Sequence, residues 1–199
     1  MPIKCILFDS DGVVTNAEMF SLQYQKEFGV SNDEMLPFFR GEFQDCIVGK
    51  ADLKEIITPW ISKWGWQGSV ESFVAYWFKV EHKVEDRVVD AIKKLKEQGI
   101  VCCLATNQEK YRTEYMKKEM GFEGLFNEIY SSAEIGFKKP DTKFYEYILK
   151  NLKNKYSINT DEIIFFDDTV ENVKGACDVG IKAYLYTTFE GFEAIINDI

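Results

Sequence analysis

The residues Ile3-Lys4-Cys5-Ile6-Leu7-Phe8 form a short, nearly continuous apolar run that stops at Asp9-Ser10-Asp11-Gly12. Such a run fits a strand buried on both faces of a parallel sheet, although periodicity alone does not separate it from a buried helix segment. Ligands of open α/β sheets sit beyond the carboxyl ends of the strands, so Asp9 and Asp11 stand where chemistry is done. Asp-Ser-Asp-Gly is also good turn chemistry, because aspartate closes local turns and glycine tolerates positive φ. Taken alone, the turn reading weighs slightly more. The rest of the chain decides between them.

From residue 85 onward, helical and strand-like patterns alternate. Asp86 to Gln98 reads as an amphipathic helix ended by Gly99, and Ile100 to Ala105 as a buried strand. A helix follows from Gln108 to Met120, then a short strand from Glu128 to Ser131 and a helix from Asp141 to Lys153. Glu162 to Phe166 and Lys182 to Tyr186 read as the last two strands, with helices from Val170 to Val179 and Phe189 to Ile196. This order predicts an α/β fold with right-handed crossovers and a parallel sheet of about five strands. Residues 17–83 differ, carrying helical patterns with caps at Ser31 and Ser69 and a helix starting near Gly49. They hold all four tryptophans, Trp60, Trp64, Trp66 and Trp77, an aromatic stripe expected to be the core of a small helical bundle. The expected division is therefore a core of residues 1–16 and 84–199 with a helical insert at 17–83.

The net charge is −9 and no basic tract is present, which argues against nucleic-acid or membrane-surface binding. No apolar run approaches the ~20 residues of a membrane span, and no secretory signal leads the chain. The cysteines number five, without metal-type spacing, and read as reduced thiols of an intracellular, cytoplasmic protein. The single histidine, His82, lies in an acidic stretch and reads as a surface residue. A zinc site with two histidines is thereby excluded.

Three further polar elements follow predicted strands. Thr106-Asn107 succeeds Leu104-Ala105 and can cap a helix or direct backbone N–H groups at an anion. Lys138-Lys139-Pro140-Asp141 places Lys139 beside a helix start, with Pro140 suited to the first helical position. Phe165-Phe166 runs straight into Asp167-Asp168, and adjacent carboxylates at a buried strand end repel one another unless a cation relieves them. Hard oxygen ligands together with substrate phosphate are how Mg2+ is normally held. A phosphate ester with Mg2+ uses all of these groups.

In this order, Asp9-Ser10-Asp11-Gly12-Val13-Val14-Thr15, Thr106, Lys139-Pro140 and Asp167-Asp168 resemble the motifs of the haloacid dehalogenase superfamily. The helical insert after the first motif is similar to the C1 cap of its first subfamily, and Asp167-Asp168-Thr169-Val170-Glu171-Asn172 resembles its DD-type fourth motif. The resemblance implies a Rossmann-like core and a Mg2+-dependent phosphatase acting on a small phosphomonoester, with a sugar phosphate as the first expectation. It implies Asp9 as nucleophile, Asp11 as general acid and base with a pKa above that of Asp9, and Lys139 as a catalytic and substrate-binding cation. Thr106 and Asn107 would bind the phosphoryl oxygens. Asp9, the Asp11 main-chain carbonyl, and Asp167 or Asp168 would hold the metal. Lys50 and Glu18 are candidate contacts from the insert. A phosphomutase would share these residues, whereas a haloacid dehalogenase lacks the second acid of the first motif, and an inactive binding protein usually loses a motif residue. The oligomeric state, monomer or dimer, is left open.

Overall fold

The computed structural model describes residues 2–198. Five parallel strands form one sheet: β1 (Cys5–Phe8), β2 (Val101–Thr106), β3 (Glu128–Ser131), β4 (Ile163–Asp167) and β5 (Lys182–Leu185), in the order β3-β2-β1-β4-β5. The first strand is central because it is apolar on both faces. Ile6 and Phe8 join Cys102, Leu104, Ile164 and Phe166 in one core layer, while Cys5 and Leu7 join Cys103, Ala105, Ile163 and Phe165 in the other. The two-residue period of a strand sends alternate side chains to opposite faces, so a run without polar residues fills both layers. The edge strand β5 is partly exposed and opens on Lys182, as edge strands commonly do.

The helices up to the second strand are α1 (Phe20–Phe28), α2 (Asn32–Arg40), α3 (Phe43–Ile47), α4 (Leu53–Lys63), α5 (Val70–Val80) and α6 (Asp86–Glu97). The remainder are α7 (Lys110–Lys118), α8 (Phe122–Leu125), α9 (Ser132–Ile135), α10 (Thr142–Tyr156), α11 (Val170–Asp178) and α12 (Phe189–Asn197). Val88, Ile92 and Leu95 of α6 and Phe192 of α12 cover one sheet face, and Phe144, Ile148 and Leu152 of α10 cover the other. The expected alternation is present.

Between β1 and α6, helices α1 to α5 pack around their own aromatic cluster, which includes Phe20, Tyr24, Phe38, Phe73 and Trp77. Trp64 and Trp77 are buried there, and Trp60 and Trp66 are half-buried. Ser31 makes a capping box with Glu34, and the Ser69 hydroxyl accepts the Ser72 N–H. The helix expected near Gly49 starts at Leu53, because the Asp52 carboxylate accepts the Lys54 N–H at 2.8 Å and fixes the N-cap there. Similarly α10 begins at Thr142, with Asp141 as N-cap and Pro140 outside the helix. Polar contacts tie the helical block to α7 and α9. Lys110 pairs with Asp52 at 2.6 Å, the buried Arg112 donates to the Phe78 and Glu81 carbonyls at 2.9 Å each, and the Ser132 hydroxyl donates to the Ile47 carbonyl at 2.6 Å. His82 is exposed and shares a 2.8 Å hydrogen bond with the Tyr115 hydroxyl. All five cysteines are free, with only Cys177 exposed. Among the described residues, no helix is long and apolar enough to cross a membrane.

Candidate active site

Strand register brings the acids together. Phe8 of β1 pairs with Phe166 of β4, so the next residues, Asp9 and Asp167, leave neighbouring strands side by side, and the Asp9 N–H donates to the Phe166 carbonyl at 2.9 Å. Phe8 also pairs with Leu104, so Thr106 ends β2 beside the Asp9 to Asp11 turn and is buried. That turn is tied by the Ser10 carbonyl, which accepts from the N–H groups of Val13, Val14 and Thr15.

Lys139 enters from the loop before α10. Its ammonium lies 2.7 Å from Asp9 Oδ1 and 2.6 Å from Asp167 Oδ2, and the side chain is almost wholly removed from solvent. The loop is held by Asn107, whose side chain accepts the Lys139 N–H at 2.8 Å and donates to the Lys139 carbonyl at 3.0 Å. Gly175 lets α11 approach the same turn, since a Cβ there would lie 2.4 Å from the Pro140 carbonyl oxygen. Burial works to lower the Lys139 pKa, but the charges of Asp9 and Asp167 prevail and raise it, so the ammonium is kept.

Asp9, Asp167 and Asp168 bring carboxylate oxygens within 4.8 Å of one another. Against them Lys139 supplies one positive charge, so full ionisation leaves a charge of −2 that a single dication would balance. From the protein's own groups alone, burial pushes the Asp9 carboxyl well above the usual carboxylate range and Asp167 adds to the rise, with Lys139 opposing both. Asp168 is raised as well, by burial and by Asp167. These costs, and an all-oxygen donor set, fit a hard cation such as Mg2+.

The two acids of the Asp167-Asp168 pair are not equivalent. Asp167 is fully buried, and its oxygens accept from Lys139, from the Thr169 N–H at 2.8 Å and from Asn172 Nδ2 at 3.0 and 3.2 Å. Asp168 is exposed and, among the described residues, accepts only from the Thr169 hydroxyl, at 3.2 Å. It lies against Gly12, where an added Cβ would stand 2.0 Å from Asp168 Oδ2 and where φ is +80°. Gly12→Ala therefore combines left-handed strain of about 1–3 kcal/mol with displacement of Asp168. A clearly lower melting temperature is expected in thermal unfolding, and an unchanged one would refute this contact.

Asp11 is the outlier of the four acids. Its carboxylate turns from the cluster and accepts from the Thr15 hydroxyl at 3.0 Å and from Gln108 Nε2 at 2.5 Å. Sequence reasoning missed Gln108, which directly follows Thr106-Asn107, and the use of the Asn107 side chain as a clasp on the lysine loop. A cavity of about 180 Å3 begins at Asp11 and is lined from α1, α2, α3 and α5. Roomier hollows elsewhere, such as one of about 320 Å3 between α6 and α12, lie far from the strand ends. Lys50 and Glu18 are exposed, Glu18 is paired with Lys26 at 2.7 Å, and neither lines this cavity.

A family description of haloacid dehalogenase-like hydrolases matches residues 3–180. The chain belongs to this family. The Asp9 to Thr15 motif, the Lys139 loop and the Asp167-Asp168 pair all lie inside the matched region. A haloacid dehalogenase family enzyme of Bacteroides thetaiotaomicron superposes with a TM-score of 0.81 at 21% identity, covering 98% of this chain and 99% of that one. The same enzyme has been solved with magnesium and inorganic phosphate, in a form matching with a TM-score of 0.75 at 23% identity over 94% of this chain and 96% of that one. At this identity the likeness is one of fold. A sesquiterpene phosphatase of Aspergillus oryzae is 36% identical over 96 residues, 48% of this chain and 46% of that protein. Bifunctional epoxide hydrolase 2 of Rattus norvegicus is 28% identical over 102 residues, 49% of this chain and 18% of that protein. The chain thus spans less than half the length of these two curated relatives.

Proposed function

We propose that the chain is a Mg2+-dependent phosphatase that hydrolyses a small phosphomonoester through an aspartyl-phosphate on Asp9. The observation that carries this reading is the buried Lys139 ammonium held between Asp9 and Asp167 at the carboxyl edge of the sheet, with Asp168 beside them. Asp9 is the nucleophile: an oxygen of its carboxylate attacks phosphorus and the bond to the leaving alcohol breaks. Asp11, held by Thr15 and Gln108, protonates that alcohol oxygen and then takes a proton from the water that cleaves the aspartyl-phosphate. Lys139 opposes the rise in the Asp9 pKa that burial causes and offsets the charge of the phosphoryl group. Thr106 and the Asn107 N–H bind phosphoryl oxygens.

Mg2+ would be held by Asp9, the Asp11 carbonyl and Asp168, with Asp167 behind them. Asp168 would be the direct carboxylate ligand of the pair, because the Asp167 oxygens are already engaged by Lys139, Thr169 and Asn172. The cation supplies charge neutralisation at the phosphoryl oxygens. Residues 17–83 act as a cap over the site and residues 1–16 and 84–199 as the catalytic core, so the cap excludes water and selects the leaving group.

The test is hydrolysis of para-nitrophenyl phosphate. Turnover is expected with Mg2+, to stop on chelation and to return when Mg2+ is restored. Asp168→Asn should raise the Mg2+ concentration needed for half-maximal rate by roughly tenfold or more. Turnover that survives complete chelation would sink the reading. Transfer of phosphate between two positions of a sugar, in place of release to water, would make the chain a phosphomutase.

A further inference from the structure

The cavity that begins at Asp11 has walls unlike those a sugar needs. Phe20, Phe39, Phe43 and Trp77 form one side, with ring centroids 5.4 Å apart for Phe39 and Trp77, 5.5 Å for Phe43 and Trp77, and 5.1 Å for Phe20 and Trp77. Met19 and Ile47 extend the apolar surface, and Met19 is 62% exposed at the rim. Phe39 and Phe43 are only partly buried, so ring surface faces the opening.

The polar groups of the lining are mostly engaged already. Asp11 is held by Thr15 and Gln108, and Asn107 is spent on the Lys139 loop. Glu81 accepts the Phe20 N–H at 3.1 Å. Burial, with Asp11 nearby, pushes the Glu81 carboxyl up to about 7, so this wall carries less negative charge than its formula suggests. Among the described residues, the buried Trp77 indole N–H has no hydrogen-bond partner. The Ser21 hydroxyl and Gln108 Oε1 also line the cavity, but a sugar entering here would bring more hydroxyls than these few groups can partner against a wall made largely of rings. Buried hydroxyls without partners are costly, whereas hydrocarbon gains from the same walls.

We propose that this cavity receives the organic group of the substrate and that this group is a short hydrocarbon. The substrate is then the phosphate monoester of a small apolar alcohol rather than a sugar phosphate. This rests on the phosphatase reading above and deepens it. Continuity supports it: Asp11, which protonates the departing alcohol oxygen, also lines the cavity, so the carbon chain attached to that oxygen lies against the rings. Size bounds it. At about 180 Å3 the cavity admits a short branched chain, whereas a long one would have to extend past the exposed Met19 into solvent. The reaction balances as hydrolysis. The ester P–O bond breaks, the alcohol leaves with the proton from Asp11, and water returns Asp9 to a free carboxylate while phosphate departs.

The test is kcat/KM for isoamyl phosphate, methyl phosphate and a hexose phosphate, each with Mg2+. Isoamyl phosphate should exceed both others by roughly tenfold or more. In Phe43→Asn the ratio of isoamyl to methyl phosphate should fall severalfold, mainly through KM. Met19 is exposed, so Met19→Gln probes the same wall without loading the core, and should narrow the ratio in the same direction. A hexose phosphate turned over as well as isoamyl phosphate, or a ratio untouched by both substitutions, would overturn the apolar subsite while leaving the phosphatase reading in place. Absence of hydrolysis of every ester, para-nitrophenyl phosphate included, would instead remove the phosphatase reading and this inference with it.

Discussion

Asp9→Asn leaves a folded protein whose phosphatase activity is lost, by roughly 10⁴-fold or more, as removal of a covalent nucleophile does in other enzymes. The amide has nearly the shape of the carboxylate but cannot attack phosphorus. Its effect on the fold should be small for reasons visible in the site. Asp9 is buried against Asp167, and burial together with that neighbour raises its pKa, so the folded chain gains little from its charge. Lys139 keeps its 2.6 Å contact with Asp167 in the variant, so no ammonium is stranded. The amide oxygen can still accept the Ser10 N–H, which now lies 2.7 Å from Asp9 Oδ1. Wild-type and variant proteins should therefore melt within a few degrees of each other. Brief exposure to a labelled phosphate ester followed by acid quench should leave label on the wild type and none on the variant. Label on Asp9→Asn, or a rate near that of the wild type, would remove Asp9 from the role of nucleophile.

How legible the site is in the sequence depends on whether a residue's position follows from local pattern or from its neighbours in space. Asp9 and Asp167 are legible because each directly ends an apolar run, and parallel strands align their carboxyl ends. The five-strand sheet follows from the same alternation of pattern. Lys139 carries no local signal beyond a basic residue before proline at a helix start, and only the resemblance gives it a role. What places it is the clasp by Asn107, a residue 32 positions away in sequence. Gln108 and the turned-aside Asp11 carboxylate are illegible for the same reason, since they meet only when β2 lies beside β1. The helical block is read correctly as helical, but α3, five residues long, lacks the length for a periodic signal. It nevertheless carries Phe43 to the cavity wall. Pro37 lies inside α2 against the usual stop rule, in a helix whose start is secured by the Ser31 capping box and whose buried Met35 and Phe38 anchor it to the aromatic cluster. The sugar-phosphate expectation has no such support in residue pattern, because the wall of the cavity is assembled from α1, α2, α3 and α5.

Lys139→Met tests the electrostatic basis of the site from the other side. Methionine keeps much of the apolar stem but removes the ammonium that lies within 2.7 Å of two buried carboxylates. Breaking a buried ion pair by deleting one partner costs about 3–5 kcal/mol, because the remaining charge is left without compensation. The sign of the pH dependence follows from Asp9, whose folded pKa already lies above the usual range through burial, with Lys139 as the chief influence lowering it. Deleting Lys139 raises it further. A carboxyl with a folded pKa above its unfolded value binds its proton more tightly when folded. Its contribution to stability is whole below the unfolded value of about 3.9 and is lost as pH rises through the folded one. The variant should therefore be most destabilised relative to wild type at about pH 8, and the gap should narrow as pH falls toward about 5. Activity should fall as well, by roughly 10²-fold or more, since a cation facing the phosphoryl oxygens is gone. Denaturant unfolding of both proteins without added metal, at several pH values in that window, measures the gap. A stability deficit that stays constant or grows on acidification would mean that Lys139 does not compensate these carboxylates, and the charge balance on which the proposed chemistry depends would have to be redrawn.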